Sequence, residues 1–251
     1  MDITQTFYNN LAAQYDKLFS DWDKTTLEQA KILGKIFQDN GFKKSATVLD
    51  CACGIGTQAI GLALDGYNLT ASDISEEELK QAKLRASERK ANITFSKADF
   101  CALDKTFSNK FDIIIAMDNA LPHMLSFDAL KNAVHSIYNQ INDGGIFVAS
   151  IRDYDELLKT KPPYSPPYIH KTKDGQRVCL QTWEWKGENY KLIQYIIEDG
   201  KALSADKFEC EYRAITRKEL TDLFLECGAK GVEWLLPDKT GFYQPIIVVK
   251  K

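Results

Sequence analysis

Val48-Leu49-Asp50-Cys51-Ala52-Cys53-Gly54-Ile55-Gly56-Thr57 is an apolar strand that runs into a Gly-x-Gly turn and then into a helix. Glycine lets the backbone turn tightly and lets a ligand approach without a Cβ in the way. The free N–H groups at the start of the helix suit a polar or anionic group. Alone, Gly-x-Gly is a weak signal. Ala59 completes a Gly-x-Gly-x-x-Ala pattern that also fits dinucleotides.

Outward from this turn the chain alternates between short apolar runs and helical periodicity. Strands are expected at Thr47–Ala52, Tyr67–Ser72, Ile93–Ser96, Phe111–Met117 and Ile146–Ile151. The run Phe111–Met117 is nearly continuous, as in a central strand buried on both faces. Helices are expected at Thr57–Leu64, from the capping box Ser75-Glu76-Glu77-Glu78 to about Lys90, and at Ser126–Ile141. This rhythm predicts a doubly wound, Rossmann-like parallel α/β sheet. Two helical stretches precede it: Phe7 to Phe19, then a helix opened by the capping box Thr25-Thr26-Leu27-Glu28, with Trp22 in the linker. Between 160 and 215 the rhythm breaks. Lys161-Pro162-Pro163-Tyr164-Ser165-Pro166-Pro167 is a stiff loop. Three strand-like runs follow, at Gln176–Lys186, Tyr190–Glu198 and Lys207–Ile215, the first two joined by a hairpin signal at Gly187-Glu188-Asn189. Thr216 caps a last helix, and Val232–Leu236 and Ile246–Val249 read as final strands. The expected organisation is a helical cap over 1–44, an α/β domain over 45–159 and 216–251, and an antiparallel β insertion over 160–215 lying on the main sheet.

Composition narrows the function. With 32 Lys plus Arg against 35 Asp plus Glu, the net charge of −3 argues against gripping nucleic acid through its phosphates. No apolar run reaches the ~18 residues of a membrane span. Met1 to Thr6 has neither a basic nor an apolar segment of a secretory signal, so a cytoplasmic location with free thiols is expected. Cys51 and Cys53 have no second Cys or His pair to complete a zinc pattern, and no metal is expected. Asp112, Asp118 and Asn119 are the nearest set of oxygen ligands, spaced unlike a dedicated metal loop. A homo-oligomer is left open.

Two further acids complete a pattern. Asp73 ends the second strand, where an acid accepts hydrogen bonds from ribose hydroxyls. The alternative is a helix cap, a task Ser75 already performs. Ala98-Asp99-Phe100 follows the third strand, where an acid can take an adenine amino group while an aromatic covers the ring. The alternative is an ordinary loop acid beside a core Phe. As an ordered set, Asp50, Gly54, Gly56, Asp73 and Asp99 resemble the class I S-adenosylmethionine-dependent methyltransferases over about residues 45–152. The resemblance implies a seven-stranded sheet with an antiparallel last strand and S-adenosyl-L-methionine as cofactor. It implies Asp50 and the glycines at the methionine part, Asp73 at the ribose, and Asp99 with Phe100 at the adenine. Met117, closing strand four, and Tyr15, from the N-terminal helices that often cover the cofactor in this family, complete the candidate set.

Within that family, two segments are similar to glycine and sarcosine N-methyltransferases. Asp118-Asn119-Ala120-Leu121-Pro122-His123 looks like their Gly-Asn-Ser-x-x-His, and Ser150-Ile151-Arg152-Asp153-Tyr154-Asp155 like their His-Arg-Asn-Tyr-Asp. Asp118 replaces the Gly and Ile151 the His. The resemblance implies that Arg152 holds the carboxylate of the acceptor. A guanidinium past a strand end can grip one bidentately; the alternative is an ion pair with Asp153 or Asp155. His123 can orient the acceptor or take its proton, or serve as a structural histidine. Tyr8, Tyr15 and Trp22 are candidates to face a sulfonium or to pack the helix on the core. Trp183 and Trp185 read as the core or cover of the insertion. Methyl transfer to a carboxylate-bearing amine is therefore the expected activity, with His123 and Arg152 as candidate catalytic residues. The alternatives are a nicotinamide oxidoreductase and a noncatalytic cofactor-binding or interaction module.

Overall fold

The computed structural model describes residues 3–251; the first two residues of the expected helical cap and of the expected leaderless N-terminus lie outside them. The strands are β1 Thr47–Asp50, β2 Asn68–Asp73, β3 Ile93–Lys97, β4 Phe111–Ala116, β5 Ile141–Ser150, β6 Tyr168–Thr172, β7 Gly175–Lys186, β8 Asn189–Asp199, β9 Leu203–Arg213, β10 Gly231–Leu235 and β11 Ile246–Lys250. The α-helices are α1 Ile3–Leu11, α2 Trp22–Asp39, α3 Thr57–Leu64, α4 Glu76–Glu88, α5 Phe127–Gln140, α6 Tyr154–Thr160, α7 Arg217–Glu226 and α8 Pro237–Thr240.

The main sheet has seven strands in the order β10-β11-β5-β4-β1-β2-β3. From β3 to β5 the pairing is parallel, and β11 runs antiparallel to both neighbours, β5 and β10. The apolar β4 explains why the sheet is covered on both faces. Ile114 and Ala116 join Leu130, Val134 and Ile137 of α5 and Leu220 and Phe224 of α7 in one core. Ile113, Ile115 and Met117 join Leu33 and Phe37 of α2 and Leu62 of α3 in the other. The chain winds from β1 outward to β3 and then crosses back to β4 on the other side of β1. That reversal leaves a crevice at the C-terminal ends of β1, β2 and β4, where ligands of open α/β sheets bind.

The insertion is a four-stranded antiparallel sheet, β6-β7-β8-β9, with a two-residue turn at Gly187-Glu188. Sequence periodicity foresees three of these strands; β6, short and largely exposed, lacks the apolar alternation that would mark it. The sheet packs Trp183, Tyr190, Leu192 and Tyr212 against Phe7 and Leu11 of α1 and Tyr154 of α6, forming a third core. Two expectations in the N-terminal region are corrected. The stretch from Phe7 to Phe19 is α1 followed by a 3-10 helix over Ala12–Leu18. The next helix starts at Trp22 rather than Thr25, because Asp21 caps it by accepting from the Lys24 N–H at 2.9 Å. Thr25 instead donates its hydroxyl back to the Asp21 carbonyl. Ser75, Ser126 and Thr216 cap their helices as the sequence predicts. Among the described residues no helix is long and apolar enough to cross a membrane.

Candidate active site

The glycine turn is built for close approach. Gly56 has φ +91°, and a Cβ there would meet Ile60 Cδ1 at 2.9 Å. Gly54 has φ +51° and donates its N–H to Asp73 Oδ2 at 2.8 Å. Asp73 Oδ1 accepts from the Ser75 N–H at 2.9 Å, so this carboxylate pins both the glycine turn and the start of α4. Each carboxylate oxygen keeps a second lone pair. Parallel register sets Asp50 beside Ala71 of β2 and Ile115 of β4, at the bottom of the crevice. Asp50 is fully buried; Oδ1 accepts weakly from the Ala52 N–H at 3.3 Å and Oδ2 has no partner. Burial raises its pKa to about 8. An unpaired buried carboxyl is costly, and a cationic ligand group beside it removes that cost.

Two chambers open from the crevice. One, of about 240 Å³, is lined by Asp50's neighbours Cys51 to Ile55, by Asp73, Asp99, Phe100, Met117 and His123, and by Tyr8 and Tyr15. It gathers the candidate cofactor residues Gly54, Asp73, Asp99, Phe100, Met117 and Tyr15; Gly56 and Asp50 are adjacent in sequence to lining residues but do not line it themselves. Asp99 is exposed at the rim and caps the following 3-10 helix through Oδ1, with its side chain on the Cys101 N–H at 2.8 Å. Trp22 is not at this site. It is buried, and its indole N–H donates to Thr57 Oγ1 at 3.0 Å. Asp73, Asp99 and Phe100 thus face one cavity that also borders the glycine turn, with the buried carboxyl of Asp50 at the end of the adjoining strand.

The second chamber, of about 660 Å³, lies between α1, the ends of β4 and β5, and the insertion sheet. Arg152 reaches into it. Its guanidinium donates to Tyr190 Oη at 2.7 Å and to Gln181 Oε1 at 2.9 Å, and lies 5.0 Å from the Trp183 ring and 5.4 Å from that of Tyr212. All these partners are neutral. Asp153 and Asp155 are taken by Arg217, at 2.9 and 3.3 Å, so the alternative of a local ion pair with Arg152 is set aside. His123 is buried, with Nε2 2.9 Å from Tyr8 Oη and its ring 4.2 Å from that of Tyr212. Desolvation lowers its pKa to about 3, so the imidazole is neutral and a weak base. Gln181, Gln194 and Tyr212 are chamber residues that sequence reasoning did not reach; Trp183, expected as core or cover of the insertion, lines the chamber as well. They come from the insertion, and only its density of aromatics hinted at a wall. Among the described residues, no group of three or more His, Cys, Asp or Glu is placed to hold a metal.

Residues 48–145 match a family described as a methyltransferase domain. The glycine/sarcosine N-methyltransferase of Parasynechococcus marenigrum (strain WH8102) is 25% identical over 155 residues, 62% of this chain and 54% of that protein. The chain spans about half the length of the curated relatives it matches. Streptomyces venezuelae DesVI superposes with a TM-score of 0.80 at 16% identity, covering 95% of this chain and 97% of that one. An S-adenosylmethionine-dependent methyltransferase from Clostridium acetobutylicum ATCC 824 gives 0.74 at 20% identity, covering 97% of each. The fold is that of class I S-adenosylmethionine-dependent methyltransferases, related distantly in sequence to the glycine/sarcosine type.

Proposed function

We propose that this protein methylates the amine nitrogen of a small, carboxylate-bearing molecule larger than glycine. The observation that carries the reading is Arg152, a guanidinium inside a ligand-sized chamber with no acidic partner. A charge held among neutral groups is costly until an anion arrives. The chamber volume falls within the ~300–1,000 Å³ of small-molecule sites, and its walls are mainly aromatic and aliphatic. The match to glycine/sarcosine N-methyltransferases supports an amine acceptor, and the chamber's size supports a bulkier one.

S-adenosyl-L-methionine supplies, when bound, a methyl group already activated by the sulfonium charge. The chain's own residues do the rest. Asp73, Asp99 and Phe100 hold the nucleoside end, Asp50 the amino-acid end, and Tyr8, Tyr15 and Met117 keep water from the point of transfer. Holding two reactants in line removes the entropic part of a bimolecular barrier. His123, neutral and bonded to Tyr8, positions that tyrosine. The insertion at 160–215 is the acceptor-side lid in this reading, and the helices before 45 are the cofactor-side cover. A labelled-methyl transfer screen over amino acids, amines, phenols and carboxylates tests it. Transfer should be confined to amines that also carry a carboxylate; turnover of phenols, or of none of the panel, would overturn the proposal.

A further inference from the structure

Three residues line both chambers: Tyr8, Tyr15 and Asp118. Methyl transfer, if the proposed function holds, takes place where the chambers meet, so these three surround the reacting nitrogen. The Tyr8 hydroxyl is already engaged with His123. Asp118 is the one charged member. It stands two residues past the end of β4, with φ +55°, and Asn119 follows with φ +69°. Asp and Asn tolerate the left-handed region better than other side-chain-bearing residues, but glycine adopts it freely. Strain of this kind persists where the surroundings hold it, and it clusters at ligand sites. Here the surroundings are specific. Ser150 Oγ accepts the Asp118 N–H at 2.8 Å, Tyr243 donates to Oδ1 at 2.7 Å, and Gln58 donates to Oδ2 at 2.7 Å. Tyr243 stands in the acceptor chamber and Gln58 in the cofactor chamber, so the carboxylate spans the junction.

These two donors are neutral, and a carboxylate accepts about four hydrogen bonds. Among the described residues no Lys, Arg or His lies within ion-pair distance of Asp118. The acceptor chamber thus carries an uncompensated anion at its junction end and an uncompensated cation, Arg152, in its wall. The two are fixed relative to each other: Asn119 Oδ1 accepts the Arg152 N–H at 3.0 Å.

We propose that Asp118 receives the amine of the acceptor, holding its ammonium at the junction of the chambers and taking the proton that must leave before the nitrogen can attack. The proton passes from the ammonium N–H to a carboxylate oxygen of Asp118. The pair of that N–H bond stays on nitrogen as the lone pair that forms the new bond to carbon. The carboxyl is thereby neutral and the amine uncharged. Burial raises the pKa of Asp118, which narrows the gap to an ammonium and eases the transfer. His123, lowered to about 3, is the weaker base of the two. With Arg152 on the carboxylate and Asp118 on the amine, the site selects zwitterions.

The test uses the full chain saturated with S-adenosylhomocysteine and three probes that share one aromatic body: phenylalanine, 2-phenylethylamine and 3-phenylpropionate. Calorimetry compares wild type with Asp118→Asn, which keeps the shape, still accepts from Gln58 and can donate to a Tyr243 hydroxyl turned to accept, and with Asp118→Gly, which suits the left-handed backbone. Both variants should lose at least tenfold in affinity for phenylalanine and 2-phenylethylamine and retain that for 3-phenylpropionate and S-adenosylhomocysteine. Unchanged binding of the amines, equal weakening of all three probes, or no wild-type preference for phenylalanine over 3-phenylpropionate overturns the assignment. A variant that alters only the preference for S-adenosylmethionine over S-adenosylhomocysteine also overturns it, because Asp118 would then face the sulfonium. A wild-type chain that fails to bind S-adenosylhomocysteine overturns the methyltransferase reading, and this assignment with it.

Discussion

Cofactor binding should expel a proton, and Asp50 is its source. The buried carboxyl has a pKa of about 8, with Oδ2 unpaired. At pH 7 a group with that pKa is protonated in about ten molecules for each one ionised, so an arriving ammonium that holds it ionised releases about 0.9 proton. The sign follows from the raised value: below pH 8 the free protein binds a proton that the complex does not, so affinity climbs with pH by about tenfold per unit until it levels near 8. Calorimetric titration of S-adenosylhomocysteine at pH 7, in buffers of different ionisation enthalpy, reads the released protons as a slope. Asp50→Asn should fold normally, since it replaces one neutral group by another of the same shape. It should bind with no proton released, and at pH 8 about 1.5–3 kcal/mol more weakly, the value of a hydrogen bond to a charged group. Asp73 is also raised by burial and lies in the same chamber, so the variant is the necessary control. A wild-type slope near zero, or the same slope in Asp50→Asn, would refute the reasoning.

Arg152→Ala should lower kcat/KM for the best acceptor ten- to a hundredfold, about 1.5–3 kcal/mol of transition-state binding, with Arg152→Lys recovering only part because an ammonium lacks the planar fork; steady-state kinetics at constant cofactor affinity checks this. Asp73→Ala should weaken S-adenosylhomocysteine by a similar energy, read by calorimetry, and unchanged affinity in a folded variant would remove the ribose assignment. Gly56→Ala places a methyl 2.9 Å from Ile60 at φ +91°, so it should cost about 1–3 kcal/mol and lower Tm by several degrees in a thermal scan. His123 has a folded pKa lowered to about 3 against an ordinary 6.5, so its contribution is present above pH 6.5 and is lost as pH falls toward 3. Between pH 7 and 5 that loss is about 2 kcal/mol; because the raised Asp50 carboxyl shifts stability the opposite way over the same range, it should be read as the difference between the denaturant-titration pH profiles of wild type and His123→Gln.

The half of the candidate site around the glycine turn was legible because its determinants are local. Gly54 and Gly56 must sit where φ is positive, and Asp50, Asp73 and Asp99 each fall at or just past a strand end. A reader who finds the strands finds the acids. The acceptor half is assembled by pairing between distant segments. Gln181 and Tyr190 meet Arg152 only after β7, β8 and β9 stack in register, and no pattern within the insertion marks which of its aromatics face inward. The start of α2 was missed for a different reason. Two acceptable caps, Asp21 and Thr25, stand one turn apart, and the packing of Trp22 over α3 favours the earlier one. The short helix α6 after Arg152 carries too few residues to show a period.

Tyr8 and Tyr15 wall both chambers, and they belong to one short stretch at the beginning of the chain. That stretch is α1, nine residues long, and a 3-10 helix. Helices of that length have little stability of their own; Phe7 and Leu11, each contributing about 1.5–3 kcal/mol on burial, tie this one to the insertion sheet. One element of the fold therefore borders both cavities. A substitution that loosens Phe7 or Leu11 from the insertion sheet should disturb both at once, and a ligand bound in either should stabilise the same helix.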